Sequence, residues 1–390
     1  MSIKKISEGV WSLRSNDWDR RVFDELISLP YGTTYNAYLV KGSDKCALID
    51  TTDPTKTYEL INDLKRLNVR VDYVISNHAE QDHSGSIGDV LNLYPDAMVV
   101  TNSKCKDFLI DLLHIDSDKF LVVKEGDKLE LGLKTLQFKI TPWVHWPETM
   151  ITFLEEEKIL FTCDFFGSHL ATSELYVTDE SLVYMAAKRY YSEIMMPFRN
   201  NVRKNLEIVK SLSPKIIAPS HGPVYQDPKF IVNATEDWIS DKVKNLVLIP
   251  YVSMHGSTKI LVERLVQSLT DLNIEVIQFS LTKTDIGEIA IHMVDAATIV
   301  LATPTVLLGP HPAALYATYL VSALKPKTKY FGLIGSYGWG SKVVDIVSNM
   351  LSPLKPHIIS PVLIKGMPKD EDLKKIDDLA IQISGLHKNL

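Results

Sequence analysis

Cysteine is scarce in this chain: 390 residues carry only Cys46, Cys105 and Cys163. They are far apart, which excludes a disulfide framework, a Cys-x-x-Cys pair and an iron–sulfur or rubredoxin-type thiolate site within these residues. Any metal must then be held by His, Asp and Glu. Long apolar runs are missing as well. No stretch approaches the roughly 20 residues that cross a bilayer, and the opening MSIKKISEGVWSLRSNDWDRR has no apolar signal core, so a cytoplasmic address and no membrane contact are expected. Basic runs are absent, and a net charge of -6 spread along the chain argues against nucleic acid as a partner. Internal repeats and low-complexity linkers are also lacking. What is present, 45% hydrophobic and 23% charged residues over this length, is the composition of a globular chain with more than one core.

The two halves differ in texture. In the first, short β-rich runs (Ala37–Val40, Ala47–Asp50, Tyr73–Ser76, Met98–Thr101, Phe138–Thr141, Ile159–Thr162, Ile216–Ala218) alternate with turns and with helical patterns at Thr55–Leu67 and Asn205–Leu212. From Lys244 a βαβ rhythm takes over. Strands are expected at Asn245–Val252, Glu275–Phe279, Ala297–Thr303, Lys329–Gly335 and His357–Leu363, and helices at Thr258–Leu269, Ala313–Leu324, Lys342–Met350 and from Asp370 onward. Strands this apolar between helices indicate a doubly wound parallel sheet. The division is placed near Asp241–Asn245, giving domains 1–243 and 244–390.

Chemistry concentrates where strands end. The stretch DYVISNHAEQDHSGS puts His78, Glu80, Asp82 and His83 within six residues, after an apolar strand and before a Ser-Gly turn. An extended segment aims alternate residues the same way, so His78 and Glu80 can share one metal while Asp82 and His83, past the bend, serve a second. His145 in TPWVHWPET, Asp164 in LFTCDFFG and His221 in APSHGP each follow an apolar strand and precede a turn. Single histidines elsewhere, His114, His169, His292, His357 and His387, are read as ordinary surface or core residues.

This order and spacing resemble the metallo-β-lactamase fold, whose members carry His-x-His-x-Asp-His, a later His, a bridging Asp and a last His. Glu80 departs from it, standing where a zinc hydrolase has its second imidazole. Four imidazoles with three carboxylates make an oxygen-rich, anionic donor set that suits iron better than zinc. His-x-Glu-x-Asp-His, together with HWPET and the downstream half, is similar to the flavodiiron proteins. The fold implied is an N-terminal metallo-β-lactamase-like αββα sandwich followed by a flavodoxin-like domain.

Three loops of the second half point to FMN. Ser253-Met254-His255-Gly256-Ser257-Thr258 opens a helix, so hydroxyls, backbone N–H groups and the positive helix end can surround a phosphate. Thr303-Pro304-Thr305-Val306 and Gly335-Ser336-Tyr337-Gly338-Trp339-Gly340 end two further strands, and ligands of open parallel sheets bind at such carboxyl ends. Tyr337 or Trp339 would cover the flavin ring. Val306-Leu307-Leu308 departs from the Asn-Asn that often follows Pro-Thr in relatives, and His255 is a less usual choice for a phosphate loop.

The flavodiiron resemblance implies His78, Glu80 and His145 on one iron, Asp82, His83 and His221 on the other, and Asp164 bridging. Trp146 and either Tyr190 or Tyr191 are candidates for excluding water or donating a proton. It also implies reduction of dioxygen to water, with nitric oxide reduction to nitrous oxide as the alternative, and an external donor, rubredoxin or a reduced deazaflavin coenzyme. A head-to-tail homodimer or dimer of dimers is implied too. A dizinc hydrolase with a flavodoxin-like appendage and an FMN electron carrier are the readings from other classes.

Overall fold

The structure, a computed structural model, describes residues 2–390. It divides into two units, one running to Tyr191 and including Phe198–Ile239, the other formed by Ser240–Leu390 with the short segment Ser192–Pro197. Among the described residues no helix is long and apolar enough to cross a membrane.

The first unit is built on two sheets. Seven strands run in sequence order: Ser2–Ser7, Val10–Asp17, Thr33–Lys41, Cys46–Ile49, Tyr73–Ile75, Met98–Thr101 and Phe120–Val122. The second sheet holds Lys128–Glu130, Thr135–Ile140, Met150–Leu154, Ile159–Cys163 and Ile216–Pro219, the last pair parallel. Tyr38, Val40, Ile49, Ile75 and Val100 from one sheet meet Phe138, Met150, Leu154 and Phe161 from the other in a dry core. Strand residues of opposite parity, such as Leu39, Leu48, Val74 and Val99, pack instead on Leu60, Leu64, Val90 and Leu109 of the covering helices. Each sheet therefore has one face on its partner sheet, which leaves the strand ends to present loops.

Helix starts show why the boundaries shift from the sequence pattern. Thr57–Leu67 begins two residues later than its apolar period suggests, because Asp53 caps Thr55 N (2.9 Å) and Pro54 opens a 3-10 turn first. It ends at Asn68, whose left-handed φ of 49° returns an N–H to Lys65 O. Arg199–Leu212 starts earlier than expected, since its first turn carries polar residues that hide the period. The strands Ser2–Ser7 and Val10–Asp17 were not anticipated, and neither was the helix Ile286–Met293.

In the second unit the parallel strands lie in the order Glu275–Ser280, Lys244–Tyr251, Ala296–Val306, Tyr330–Tyr337, then His357–Ile358 and Val362–Lys365. In sequence terms this is 2-1-3-4-5, the flavodoxin order, whose switch point falls between the first and third strands. The last expected strand is split, because Pro361 interrupts the ladder. On one face Val247, Ile249, Val300 and Ala302 pack against Leu261, Leu265, Ile376 and Leu379, from the helices Ser257–Asp271 and Asp370–His387. His387 is an ordinary core histidine, bonded to Asn245 Oδ1 (2.8 Å) and Thr298 Oγ1 (2.7 Å).

Candidate metal centre and flavin loops

The structure brings His78, Glu80, Asp82, His83, His145, Asp164 and His221 to one place in the first unit. His78 follows Tyr73–Ile75 in one sheet, and Asp164 and His221 follow the parallel neighbours Ile159–Cys163 and Ile216–Pro219 in the other, so strand ends from both sheets aim at a common point. His145 comes from the loop between Thr135–Ile140 and Met150–Leu154. Past His221 the chain must turn sharply. Gly222 does so at φ 82°, where an added Cβ would lie 2.0 Å from Ser168 Oγ.

The ligand atoms fall into two groups. Glu80 Oε2 lies 3.1 Å from His78 Nε2 and 3.0 Å from His145 Nε2. Asp82 Oδ2 lies 3.3 Å from His83 Nε2 and 3.1 Å from His221 Nε2. Asp164 faces both groups with different oxygens: Oδ2 approaches His145 and His78 at 3.3 and 3.5 Å, while Oδ1 approaches His83 and His221 at 2.8 and 3.4 Å. One ligand atom from each of His78, Glu80, His145 and Asp164 lies within 4.8 Å of the others, and the same holds for Asp82, His83 and His221.

Several buried polar atoms of the centre are placed for cations. Asp82 Oδ1, both oxygens of Asp164 and both nitrogens of His83 are buried without a hydrogen-bond partner, although several of these atoms lie within 3.5 Å of another site atom. Buried polar atoms left so cost about 1–3 kcal/mol apiece, and a pair of cations would satisfy them together. Cys163 adjoins the second group, with its sulfur, a His83 nitrogen and an Asp164 oxygen within 4.8 Å of one another, and burial pushes its thiol well above the usual range. A set of four imidazoles and three carboxylates fits iron.

Outer contacts orient the imidazoles. Glu148, the glutamate of HWPET, accepts from His78 Nδ1 (2.7 Å) and from Ala79 N (3.1 Å), which leaves His78 Nε2 for the centre. His221 Nδ1 donates to Thr34 O (2.6 Å) and does the same for its own ring. Asp50 anchors the loop by accepting from Asn77 N (2.8 Å) and Asn77 Nδ2 (2.9 Å). Neither Glu148 nor Asp50 was singled out in the sequence. For Glu148 the signal was there, in a carboxylate three residues after His145.

Charge binds the metal-free centre together. Burial works against protonated imidazole, but Asp164 and Glu80 outweigh it at His145 and raise it to about 9. At His221 burial is likewise outweighed by Asp164 and Asp82, which raise it to about 10. His78 and His83 are also shifted upward, His78 through Glu148 and Glu80, His83 through Asp164 and Asp82, each against the penalty of burial. Metal must displace these protons. Loading the metal-free protein with a divalent cation at pH 7 in weak buffer is therefore expected to acidify the solution, with release falling away above pH 9–10 as His145 and His221 lose their protons unaided. Stability from these raised groups follows the same sign: present in full below about 6.5, the unfolded imidazole value, and lost as pH rises through 9–10.

Around the centre the aromatic candidates separate. The Trp146 ring stands perpendicular to His78 at 5.0 Å. Tyr190 lies 5.8 Å from the His221 ring, and burial followed by the charge of Asp164 holds its phenol protonated. Tyr191 is a correction: its ring packs on Trp238 at 5.4 Å, because the helix Glu180–Tyr190 points adjacent residues about 100° apart. His169, read as an ordinary core or surface histidine, is a buried one with Nδ1 2.9 Å from Thr33 Oγ1 and Nε2 unpartnered, and it packs beside the centre, 4.7 Å from the His221 ring and 4.9 Å from Tyr190.

In the second unit the loop Ser253–Thr258 leads into the helix Ser257–Asp271, whose N-cap, Gly256, has φ 93° and no side-chain cap bond. In the first turn Lys259 N donates to Ser253 Oγ (3.2 Å), while Ser257 Oγ lies 2.8 Å from Ser336 Oγ and Thr258 Oγ1 3.4 Å from the same atom. No heavy atom lies within 4 Å of a Cβ built on Gly256 or Gly338, so the cradle is open. Hydroxyls, N–H groups and a helix N-terminus fit a phosphate. Met254 and Trp339 are exposed, Trp339 at 85%. Thr303-Pro304-Thr305-Val306 differs from expectation. The strand runs on through Val306 and folds back, Thr305 pairing Pro310 and Val306 pairing Gly309, around Leu307 and Leu308 in left-handed conformations (φ 47° and 70°). Leucines are unusual in such a hairpin turn, which normally selects Asn or Gly.

A metal-binding sandwich of this kind, in one chain with a flavodoxin-order sheet, defines a class of oxidoreductase, and comparison with known proteins gives it a family. The family model described as ODP family beta lactamase matches residues 33–222. A nitric oxide reductase of Moorella thermoacetica is 33% identical over 97% of this chain and 97% of its own length. Flavo-diiron protein FprA2 of Clostridium acetobutylicum is 32% identical over 95% and 96%. The solved rubredoxin oxygen:oxidoreductase of Desulfovibrio gigas superposes with a TM-score of 0.96 at 27% identity, covering 100% of this chain and 99% of the other. The chain belongs to the flavodiiron proteins and is an oxidoreductase.

Proposed function

We propose that the chain reduces dioxygen to water at a non-haem di-iron site with electrons delivered through FMN. The observation that carries this reading is Glu80 joining two imidazoles while Asp164 gives one oxygen to each of two ligand groups. His78, Glu80 and His145 would hold one iron, Asp82, His83 and His221 the other, and Asp164 would bridge. Two irons held there would supply two electrons and FMN two more, the number that takes dioxygen to two waters.

The chain's own groups do the rest. Glu148 fixes the His78 tautomer, and Thr34 fixes that of His221. Trp146, with Phe23, Pro54 and Leu112, supplies the apolar part of the wall of the cavity beside Glu80 and Asp82. Tyr190 stays a neutral phenol and so remains a hydrogen-bond donor beside Asp164.

In the second domain Ser257, Thr258, Ser336 and the helix N-terminus would take the FMN phosphate. The loops holding Met254, His255, Thr303–Val306, Tyr337, Gly338, Trp339 and Gly340 would take the ring. Ser257→Asp would set a fixed negative charge against that phosphate and is expected to weaken FMN binding about a hundredfold while leaving metal content unchanged. Fluorescence titration of the apoprotein with FMN checks this.

The donor is external, a rubredoxin or a reduced deazaflavin coenzyme. A head-to-tail homodimer or dimer of dimers, working in the cytoplasm, would bring the flavin of one copy to the metal centre of another. Nitric oxide reduction is the second reading, favoured by the likeness to the Moorella enzyme. Mixing the anaerobically reduced protein with each gas in parallel separates the two. Faster reoxidation by oxygen, without peroxide, supports the first; faster reoxidation by nitric oxide, yielding nitrous oxide, supports the second.

A further inference from the structure

His221 reaches the centre on a turn just past the strand Ile216–Pro219, and the strand Thr33–Lys41 of the other sheet holds that turn with one face. Thr34, Asn36 and Tyr38 alternate along this strand, so their side chains point the same way. Each of them bonds the main chain around His221. Thr34 Oγ1 accepts from Gly222 N, Asn36 Nδ2 donates to Pro219 O (2.9 Å) and Gly222 O (2.8 Å), and Tyr38 Oη donates to Pro219 O (2.6 Å). Asn36 N also donates to Ser220 O (2.9 Å). None of these bonds goes to His78, Glu80 or His145.

Arg14 stands directly opposite Asn36 on the neighbouring strand Val10–Asp17, and both are buried. Its Nε donates to Asn36 Oδ1 (2.9 Å), and its other nitrogens donate to the main-chain oxygens of Glu174, Leu175 (3.3 Å) and Gly222 (3.2 Å). A guanidinium can only donate, so Oδ1 of Asn36 must face it and Nδ2 must face the two carbonyls. The arginine decides which way the amide points. Among the described residues it hydrogen-bonds no carboxylate, and a cation buried on carbonyls alone is costly for stability. That cost favours a role in placement over one in stability.

We propose that Asn36, oriented by Arg14, is the positioning residue that sets His221 at the second cation position, so that the Asp82, His83 and His221 group depends on this strand face and the His78, Glu80 and His145 group does not. Thr34 and Tyr38 act with it on the same turn. The inference rests on the two-cation reading of the centre and holds whichever gas the protein reduces.

The test is uptake of cobalt(II) by the metal-free protein, titrated anaerobically against a competing chelator and read from the visible spectrum of the bound ion. Asn36→Asp keeps the shape and an oxygen for Arg14 but turns a second oxygen toward two carbonyls that need a donor. Thr34→Val keeps the shape and removes the acceptor of Gly222 N. Val209→Ala, a cavity in the buried face of the helix Arg199–Leu212, lowers the melting temperature without touching the turn.

Asn36→Asp is expected to bind the first equivalent with wild-type affinity and spectrum and the second at least about tenfold more weakly, the range for losing an outer partner of a ligating histidine. Thr34→Val should shift in the same sense, and Val209→Ala should bind both equivalents as the wild type does. If Asn36→Asp fails to fold, Thr34→Val decides. A second equivalent bound with wild-type affinity, or both equivalents weakened alike, would overturn the proposal. Uptake of a single equivalent by the wild-type protein would instead refute the two-cation reading, and the proposal with it.

Discussion

Glu80→His exchanges iron for zinc and lowers oxygen turnover at least about a hundredfold. Glu80 Oε2 lies 3.0–3.1 Å from the Nε2 atoms of His145 and His78, so a new imidazole there would meet the same cation position. It would leave five imidazoles and two carboxylates, one negative charge fewer. Burial alone would raise Glu80, yet the bonds from His145 and His78 pull it far below the usual carboxylate range, so the side chain is an anion at every working pH. Removing that anion weakens the preference for a trivalent ion and costs zinc nothing. Zinc has no accessible second oxidation state, and turnover stops where it replaces iron. Elemental analysis of wild-type and variant protein, expressed in medium holding both metals, checks the exchange. Wild-type iron content together with wild-type turnover would remove Glu80 from the account.

Glu148→Ala weakens metal binding by about 10–100-fold, the range for removing an outer partner of a ligating histidine. The loss has two parts. His78 Nδ1 loses its acceptor and Ala79 N loses the same oxygen, both in fully buried surroundings. Each unpaired group costs about 1–3 kcal/mol, so the metal-free variant should also melt earlier. Glu148→Gln keeps one acceptor oxygen for His78 and should fall between the two. Competition with a chelator, read as metal retained against chelator concentration, measures the affinity. Equal retention by all three proteins would mean that His78 needs no outer partner.

Much of this molecule was legible before its structure, and what was not has physical reasons. The strand Met98–Thr101 is bounded by turn residues on both sides, and pattern and structure coincide there. Strand ends that carried His, Asp or Glu could be read because apolar runs stop abruptly where polar site residues begin. Ser2–Ser7 escaped notice because an edge strand that reads Ser-Ile-Lys-Lys-Ile-Ser has no apolar run at all.

Tyr190 and Tyr191 could not be separated by sequence. Only the helix phase directs one ring to His221 and its neighbour to Trp238. The nearness of His169 to the centre was hidden for a related reason. It lies five residues past Asp164, and its approach to His221 depends on how that loop returns beneath Gly222. The turn at Leu307 and Leu308 broke the rule that such hairpins carry Asn or Gly, so nothing in the residues themselves announced it.

The central claim is that this centre holds iron and spends the flavin's electrons on oxygen. Its most direct test is a single-turnover titration of anaerobically reduced protein with measured amounts of dioxygen, after iron and FMN are quantified. With two irons and one FMN per chain, four electrons are stored, and reoxidation should consume one dioxygen per chain and release no peroxide. Zinc in place of iron, or flavin reoxidation that yields one peroxide per FMN, would contradict the account.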